Sequence, residues 1–304
     1  MTDAPRHLLS LTALKDAEFH HLFERAAALA DGADPGLPLK GLTLANLFFE
    51  PSTRTRASFE LAARRIGATV LNLDLSRSSA VKGESLADTV RTLHAMRTEL
   101  FVIRHADDEV LAGLARSLDG TRLAIANAGE GRTEHPTQGL IDALTIHRRF
   151  GCCAGVDVAI IGDIAHSRVA RSAVHALTRL GARVRIAGPA PLLPATDALP
   201  GTVRCSSFDE ALDGAQVVMM LRVQRERIAE GAPDERAYFA DWGLTDARLA
   251  GAHPDAIVMH PGPFNREVEI ASTVADGPRQ VIWEQVANGI PVRMAVLEWL
   301  ADGL

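Results

Sequence analysis

The sequence predicts an α/β protein of two similar domains, each a parallel sheet flanked by helices, joined by a long helix. Three observations carry this. Short apolar runs alternate with amphipathic stretches along the chain, the pattern of strands that need helical crossovers to run parallel. The segments RRIGATV (64–70) and TRLGARV (178–184) repeat one helix stop followed by one strand start, so two halves solve the same turn alike. The 304 residues suit two domains at about 100–200 residues each.

The elements follow in order. Residues 42–49 (LTLANLFF) are a nearly continuous apolar run, as in a strand buried on both faces. Phe59, Ala62, Ala63 and Ile66 then recur at helical spacing, and Gly67 stops the helix before a strand at 69–73. Leu86, Val90 and Leu93 mark a second helix, and 99–103 and 123–126 are further strands. Pro136 suits the first turn of a long helix to Phe150, which joins the halves. The second half continues with strands at 156–161, 183–187, 217–221 and 256–259, and with a helix at 167–180 stopped by Gly181. Residues 188–201 hold four prolines and read as a loop or broken turn. The last helix, 283–300, is expected to pack back on the first half.

Hydrophobic residues make up 47% and charged residues 23%, enough to bury a sizeable core without staples. A net charge of −6 argues against nucleic acid as a partner. Cys152, Cys153 and Cys205 form no C-x-x-C pair, and an odd count is a poor disulfide framework, so a reducing cytoplasm is expected. Cys152 and Cys153 read as small buried fillers. The first ten residues lack a cationic stretch followed by an apolar run, so no signal peptide is expected. No run approaches the roughly 20 apolar residues that span a bilayer, so no membrane partner is expected either.

Open α/β sheets bind ligands outside the carboxyl ends of their strands, and the unusual polar clusters all follow predicted strand ends. Glu50-Pro51-Ser52-Thr53-Arg54-Thr55-Arg56 opens a helix. A helix start with free N–H groups, two hydroxyls and a forked guanidinium makes a phosphate cradle; an ordinary capped helix with solvent-facing arginines has the same spacing. Residues 76–85 (SRSSAVKGES) form a small-residue loop carrying Lys82, either solvated at the surface or reaching a neighbouring subunit. Arg104-His105 closes an apolar strand, pointing into a crevice or paired structurally. His135-Pro136-Thr137-Gln138 opens the linking helix, where a neutral imidazole can donate to a carbonyl oxygen. Gly162-Asp163-Ile164-Ala165-His166-Ser167-Arg168 resembles a dinucleotide turn but lacks G-x-G-x-x-G, which disfavours a nicotinamide enzyme; Arg168 there suits a carboxylate. Arg222-Val223-Gln224 and His260-Pro261-Gly262-Pro263 follow two more strands. The second is a rigid turn whose carbonyls suit an amine. No cluster has a zinc ligand set, and no nucleophile with its base is evident. The sum is an arginine-rich pocket that binds and polarises an anionic substrate without metal or cofactor.

These clusters carry a resemblance. FFEPSTRTRASFELAARRIGA, KGESLADTVRTL, HPTQGLIDALTI, GDIAHSRVARS, MMLRVQRER and MHPGPFNREVEI resemble, in order, the aspartate carbamoyltransferase catalytic chains of the aspartate/ornithine carbamoyltransferase superfamily. STRTR points to the wider superfamily; RVQ and HPGP are more selective. The resemblance implies a carbamoyl-phosphate-binding domain at 1–134 plus 288–304 and an aspartate-binding domain at 135–287. It implies transfer of the carbamoyl group of carbamoyl phosphate to L-aspartate, the committed step of de novo pyrimidine biosynthesis. Ser52, Thr53, Arg54 and Thr55 would hold the phosphate. Thr55, Arg104 and His135 would polarise the carbonyl. Gln138 and the turn at Pro261, Gly262 and Pro263 would orient the amide. Arg168, Arg222 and Gln224 would hold the aspartate carboxylates. Lys82, with Ser78 or Ser79, would enter from the adjacent subunit of a homotrimer, so Arg54, Thr55, Lys82, Arg104 and His135 form the implied catalytic set. The resemblance leaves a regulatory chain or a dihydroorotase partner open. Two departures stand out: Ala165, where a lysine or other polar residue is frequent, and Glu267, where a glycine is frequent. A carbamoyltransferase for another amine, such as ornithine, and a non-catalytic structural homologue are the rival readings. The retained arginines speak against the second.

Overall fold

The computed structural model describes residues 6–74, 84–196, 198–225, 228 and 233–304. The chain forms two compact units, Met1–Leu140 with Asn288–Leu304, and Ile141–Ala287. Both divisions fall inside helices, Pro136–Phe150 and Ile282–Ala301.

In the first unit, α1 (Asp16–Ala30) precedes β1 (Thr43–Phe48), α2 (Thr53–Arg65), β2 (Thr69–Asp74), α3 (Leu86–Ala95), β3 (Leu100–His105), α4 (Val110–Ser117), β4 (Ala124–Glu130) and α5 (Pro136–Phe150). The strands lie in the order β2-β1-β3-β4, all parallel. Their apolar runs are buried because helices cover both faces of such a sheet. Ala45, Leu47, Phe101, Ile103 and Ile125 pack with Val90 of α3 and Leu111 and Leu114 of α4. Phe101 is 1% exposed; its replacement by alanine would cost about 3–5 kcal/mol through the cavity left behind.

The second unit holds β5 (Asp157–Ile161), α6 (Arg168–Arg179), β6 (Arg183–Ala187), β7 (Thr202–Arg204), α7 (Phe208–Leu212), β8 (Val217–Met220), α8 (Glu235–Trp242), α9 (Asp246–Leu249), β9 (Ile257–Met259) and α10 (Ser272–Ala275). Its strands run parallel in the order β7-β6-β5-β8-β9. Helix α11 (Ile282–Ala301) closes the chain, and its residues from Asn288 onward belong to the first unit.

The repeated helix stop is one motif used twice. Gly67 N–H meets Arg64 O and Ala68 N–H meets Ala63 O; Gly181 N–H meets Thr178 O and Ala182 N–H meets Leu177 O. This is the Schellman pattern, with the glycine in the left-handed region, at φ +92° and +80°.

Each sheet has a switch point, where successive strands leave in opposite directions. It lies between β1 and β3 in the first sheet and between β5 and β8 in the second.

Two expectations change. Cys152 is exposed, while its neighbour Cys153 is buried with its thiol turned back on Ala143 O of α5 at 3.3 Å. The strand expected at 123–126 runs further, through the glycine-rich segment to Glu130. Asn127 donates its amide to Leu9 O and accepts Gly129 N–H, both at 2.8 Å, which carries β4 on to Glu130 with a shift of register opposite His105.

Candidate functional site

The first group of side chains gathers at the carboxyl ends of β1, β3 and β4. Ser52 occupies the N-cap position of α2, yet its hydroxyl makes no capping bond. Only Arg56 N–H is taken by Ser52 O, so the N–H groups of Thr53, Arg54 and Thr55 open the helix without intrahelical acceptors. The first turn has no acidic residue to cancel its positive end, which favours an anion there. Thr55 is buried at 8% exposure, whereas Arg54 and Thr53 are exposed.

Across the switch point, Arg104 sits opposite Phe48 in the register of β1 and β3. Glu50, two residues further on, therefore meets its guanidinium, with Nε to Oε2 at 3.2 Å. Arg104 also donates Nη1 to Ala128 O at 3.2 Å. The two readings of Arg104, crevice group and ion-paired arginine, describe one side chain.

His135 is 4% exposed and stands just before Pro136, the first residue of α5. Its carbonyl accepts the N–H of Gln138 at 2.8 Å, so the helix start fixes His135 and Gln138 together. Its Nδ1 lies 3.5 Å from Thr137 Oγ1.

The second group gathers at the ends of β5, β8 and β9. Arg168 opens α6 and is 4% exposed; Ser167 caps that helix by accepting Ala170 N–H at 3.1 Å. Arg222 donates Nη2 to Gln224 Oε1 at 3.0 Å. Asp163 is fully buried. One of its oxygens meets His166 Nδ1 at 2.8 Å, and the other accepts Gln224 N–H at 3.0 Å. It thus ties the turn after β5 to the segment after β8. Gly162 passes so close to that segment that a Cβ on it would lie 2.7 Å from Leu221 O.

After β9, His260 Nδ1 accepts Gly262 N–H at 2.9 Å, and the backbone N–H of His260 donates to Gln285 Oε1 at 3.1 Å. Gln285 in turn donates to Asp142 at 2.6 Å. The imidazole therefore holds the Pro261-Gly262-Pro263 turn, whose Gly262–Pro263 bond is cis.

Ser78 and Lys82 lie outside the described residues. Among the described residues, no group of three or more His, Cys, Asp or Glu could hold a metal ion, and no helix is long and apolar enough to cross a membrane.

Residues 6–148 match the aspartate/ornithine carbamoyltransferase carbamoyl-P binding domain, and residues 154–300 match the Asp/Orn binding domain. The chain belongs to the aspartate/ornithine carbamoyltransferase family. Among its relatives, the aspartate carbamoyltransferase catalytic subunit of Granulibacter bethesdensis is 52% identical over 97% of this chain and 94% of the relative. That of Sorangium cellulosum is 53% identical over 97% and 93%. The crystal structure of the Trypanosoma cruzi aspartate transcarbamoylase in complex with carbamoyl phosphate and aspartate superposes with a TM-score of 0.86 at 33% identity, covering 97% and 96%. The ornithine carbamoyltransferase of Pyrococcus furiosus gives 0.87 at 29%, covering 100% and 99%.

Within this carbamoyltransferase framework, sequence reading missed Glu50, Asp163, His166 and His260 as groups that hold the site. Glu50 and Asp163 act on partners far along the chain, Arg104 and Gln224, while His166 and His260 act through local turns, on Asp163 and Gly262.

Glu267 explains one departure. It adopts φ +60°, the left-handed region where glycine is at ease. Its carboxylate accepts Ser272 N–H at 2.7 Å at the start of α10, and these bonds to Ser272 hold its pKa below the usual carboxylate range. Its charge is turned toward that helix start.

Proposed function

We propose that this chain transfers the carbamoyl group of carbamoyl phosphate to the α-amino group of L-aspartate, giving N-carbamoyl-L-aspartate and phosphate. The observation that carries the reading is the open start of α2 at the first switch point, with Arg104 at the end of β3 and His135 at the entry to α5 in the same unit. That set suits a dianionic phosphate next to a carbonyl.

The backbone N–H groups of residues 53–55, with Ser52, Thr53, Arg54 and Thr55, hold the phosphate. Donors on Thr55, Arg104 and His135 face the carbonyl oxygen. The unprotonated amine attacks the carbonyl carbon; the oxygen gathers charge and those donors stabilise it. The bond between the carbonyl carbon and the bridging phosphate oxygen then breaks, and phosphate leaves with the electron pair and takes up the proton lost by the nitrogen. Gln138 and the Pro261-Gly262-Pro263 turn orient the carbamoyl amide.

Arg168, Arg222 and Gln224 hold the acceptor. A dicarboxylate fits these cations; the ammonium of an ornithine side chain would meet Arg222 with like charge. The relatives at 52% and 53% identity, named as aspartate carbamoyltransferase catalytic subunits, support the same acceptor. The likeness in fold to an ornithine enzyme does not separate the two.

The reading extends to a homotrimer in which Lys82 and Ser78 serve the neighbouring subunit's site, in a reducing cytoplasm that suits three free cysteines. The product then enters de novo pyrimidine biosynthesis. The test is purified protein given carbamoyl phosphate with aspartate or with ornithine. Mass spectrometry should find N-carbamoyl-aspartate in the first tube and little citrulline in the second; the reverse pattern would overturn the acceptor. Light scattering at three times the chain mass checks the trimer.

A further inference from the structure

Glu269 has no part in the reaction as described, yet it is fully buried. Its carboxylate accepts the N–H of Asn265 at 2.7 Å and the amide Nδ2 of the same residue at 3.1 Å. It also accepts the backbone N–H of Val223, the residue between Arg222 and Gln224. Burying a carboxylate is costly unless its oxygens are filled by donors, and desolvation pushes the pKa of Glu269 above the usual carboxylate range. Water would satisfy the same N–H groups in an exposed loop.

The geometry around Val223 gives that cost a purpose. Val223 is buried against Leu192, Tyr238 and Val268. In an extended segment, residues i and i+2 project to the same side, so Arg222 and Gln224 leave together on the side away from Val223. The 3.0 Å contact between their side chains agrees with this. Past the end of β8, no strand ladder holds this segment. Two successive backbone N–H groups are held instead by buried carboxylates from separate loops, Val223 by Glu269 and Gln224 by Asp163.

We propose that Glu269 is a positioning residue for acceptor recognition. Its carboxylate sets the backbone from which Arg222 and Gln224 reach the acceptor, and through Asn265 it ties that backbone to the turn after β9. The inference rests on the reading that Arg222 and Gln224 hold the acceptor's carboxylate.

The test is Glu269→Gln in the full chain. Glutamine keeps the volume but turns one acceptor oxygen into an NH2 that faces a donor. Losing a hydrogen bond to a charged group at this position should raise the KM for aspartate about tenfold or more. The KM for carbamoyl phosphate should stay within about twofold, and the Tm should not fall by more than a few degrees. Asn265→Ala, which removes one of the donors, should move the aspartate KM in the same direction by less, and it carries the test if Glu269→Gln does not fold. An unchanged aspartate KM in an active protein, or equal rises in both KM values, overturns the inference alone. Wild-type protein that does not carbamoylate aspartate overturns the proposed function, and this inference with it.

Discussion

In the first sheet, the groups assigned to the donor come from a helix start, where the backbone supplies three N–H groups and Thr55 and Arg54 only add to them. In the second, the groups assigned to the acceptor are cationic side chains on loops. Their backbone is held by wholly buried carboxylates, Asp163 beneath Gln224 and Glu269 beneath Val223. Backbone N–H groups are placed by the helix itself and need no support. A guanidinium at the end of a flexible stem needs its base fixed before it can choose one carboxylate over another. The first sheet therefore reads as preorganised by its fold, the second by its buried charges.

The largest test of this contrast is Arg54→Ala. Because Arg54 is exposed, its loss should leave the Tm nearly unchanged while turnover, measured as phosphate release, falls about 10²–10³-fold. Near-normal turnover would break the donor half of the contrast. Next comes Asp163→Asn, which removes one acceptor oxygen from the Gln224–Asp163–His166 chain. The aspartate KM should rise about tenfold with little change for carbamoyl phosphate; a shift confined to carbamoyl phosphate would invert the assignment of the two sheets.

Arg293 sharpens the comparison within the first unit. It is buried over the Phe59 ring of α2 at 4.9 Å, its Nε has no hydrogen-bond partner, and Nη1 donates to Gly289 O at 3.2 Å. Burial pushes its pKa down to about 9, so at neutral pH the folded state carries a charge it poorly solvates. The folded pKa lies below the unfolded value, so this penalty is full below about pH 9 and fades as pH rises above it. Arg293→Met should be neutral to stabilising, by up to about 4 kcal/mol. The gain in Tm should be larger at pH 7 than at pH 10. A clear loss of stability at pH 7 would show that the cation supports α2 through the Phe59 ring.

The smallest effect lies at Glu267. Glu267→Ala keeps the left-handed backbone and loses the bond to Ser272, so the Tm should fall by about 2–4 °C. Glu267→Gly loses the bond and relieves the backbone, so the Tm should hardly move. Equal losses in both variants would mean that the backbone at this position bears no strain.

Much of the framework was legible in the sequence because its signals are local. Unbroken apolar runs such as 42–49 mark strands buried on both faces, and Gly67 and Gly181 mark helix ends through a conformation that few other residues adopt. Arg104 at the carboxyl end of an apolar strand and His135 beside the helix-opening Pro136 stand out for the same reason. Helices α1, α4 and α8 were also not predicted, although each spans two turns or more; the other missed elements lack local signals. β7 is three residues long with only one apolar member, and α7, α9 and α10 are too short to show a helical period. The supporting carboxylates were illegible for a different reason. Asp163 and Gln224 are 61 residues apart, so nothing in the sequence near Asp163 shows that its charge will be enclosed. Cys152 was misjudged because burial of a small residue after a helix stop depends on the link's path, which composition does not encode.

That path has a practical result. Cys152 is exposed, while Cys153 is buried with its thiol pushed up to about 12, and burial also raises Cys205. A maleimide dye added at neutral pH should label each chain once, at the link following α5. The natural protein thus carries a ready attachment point for a fluorescent reporter on its second unit, with no engineered residue needed.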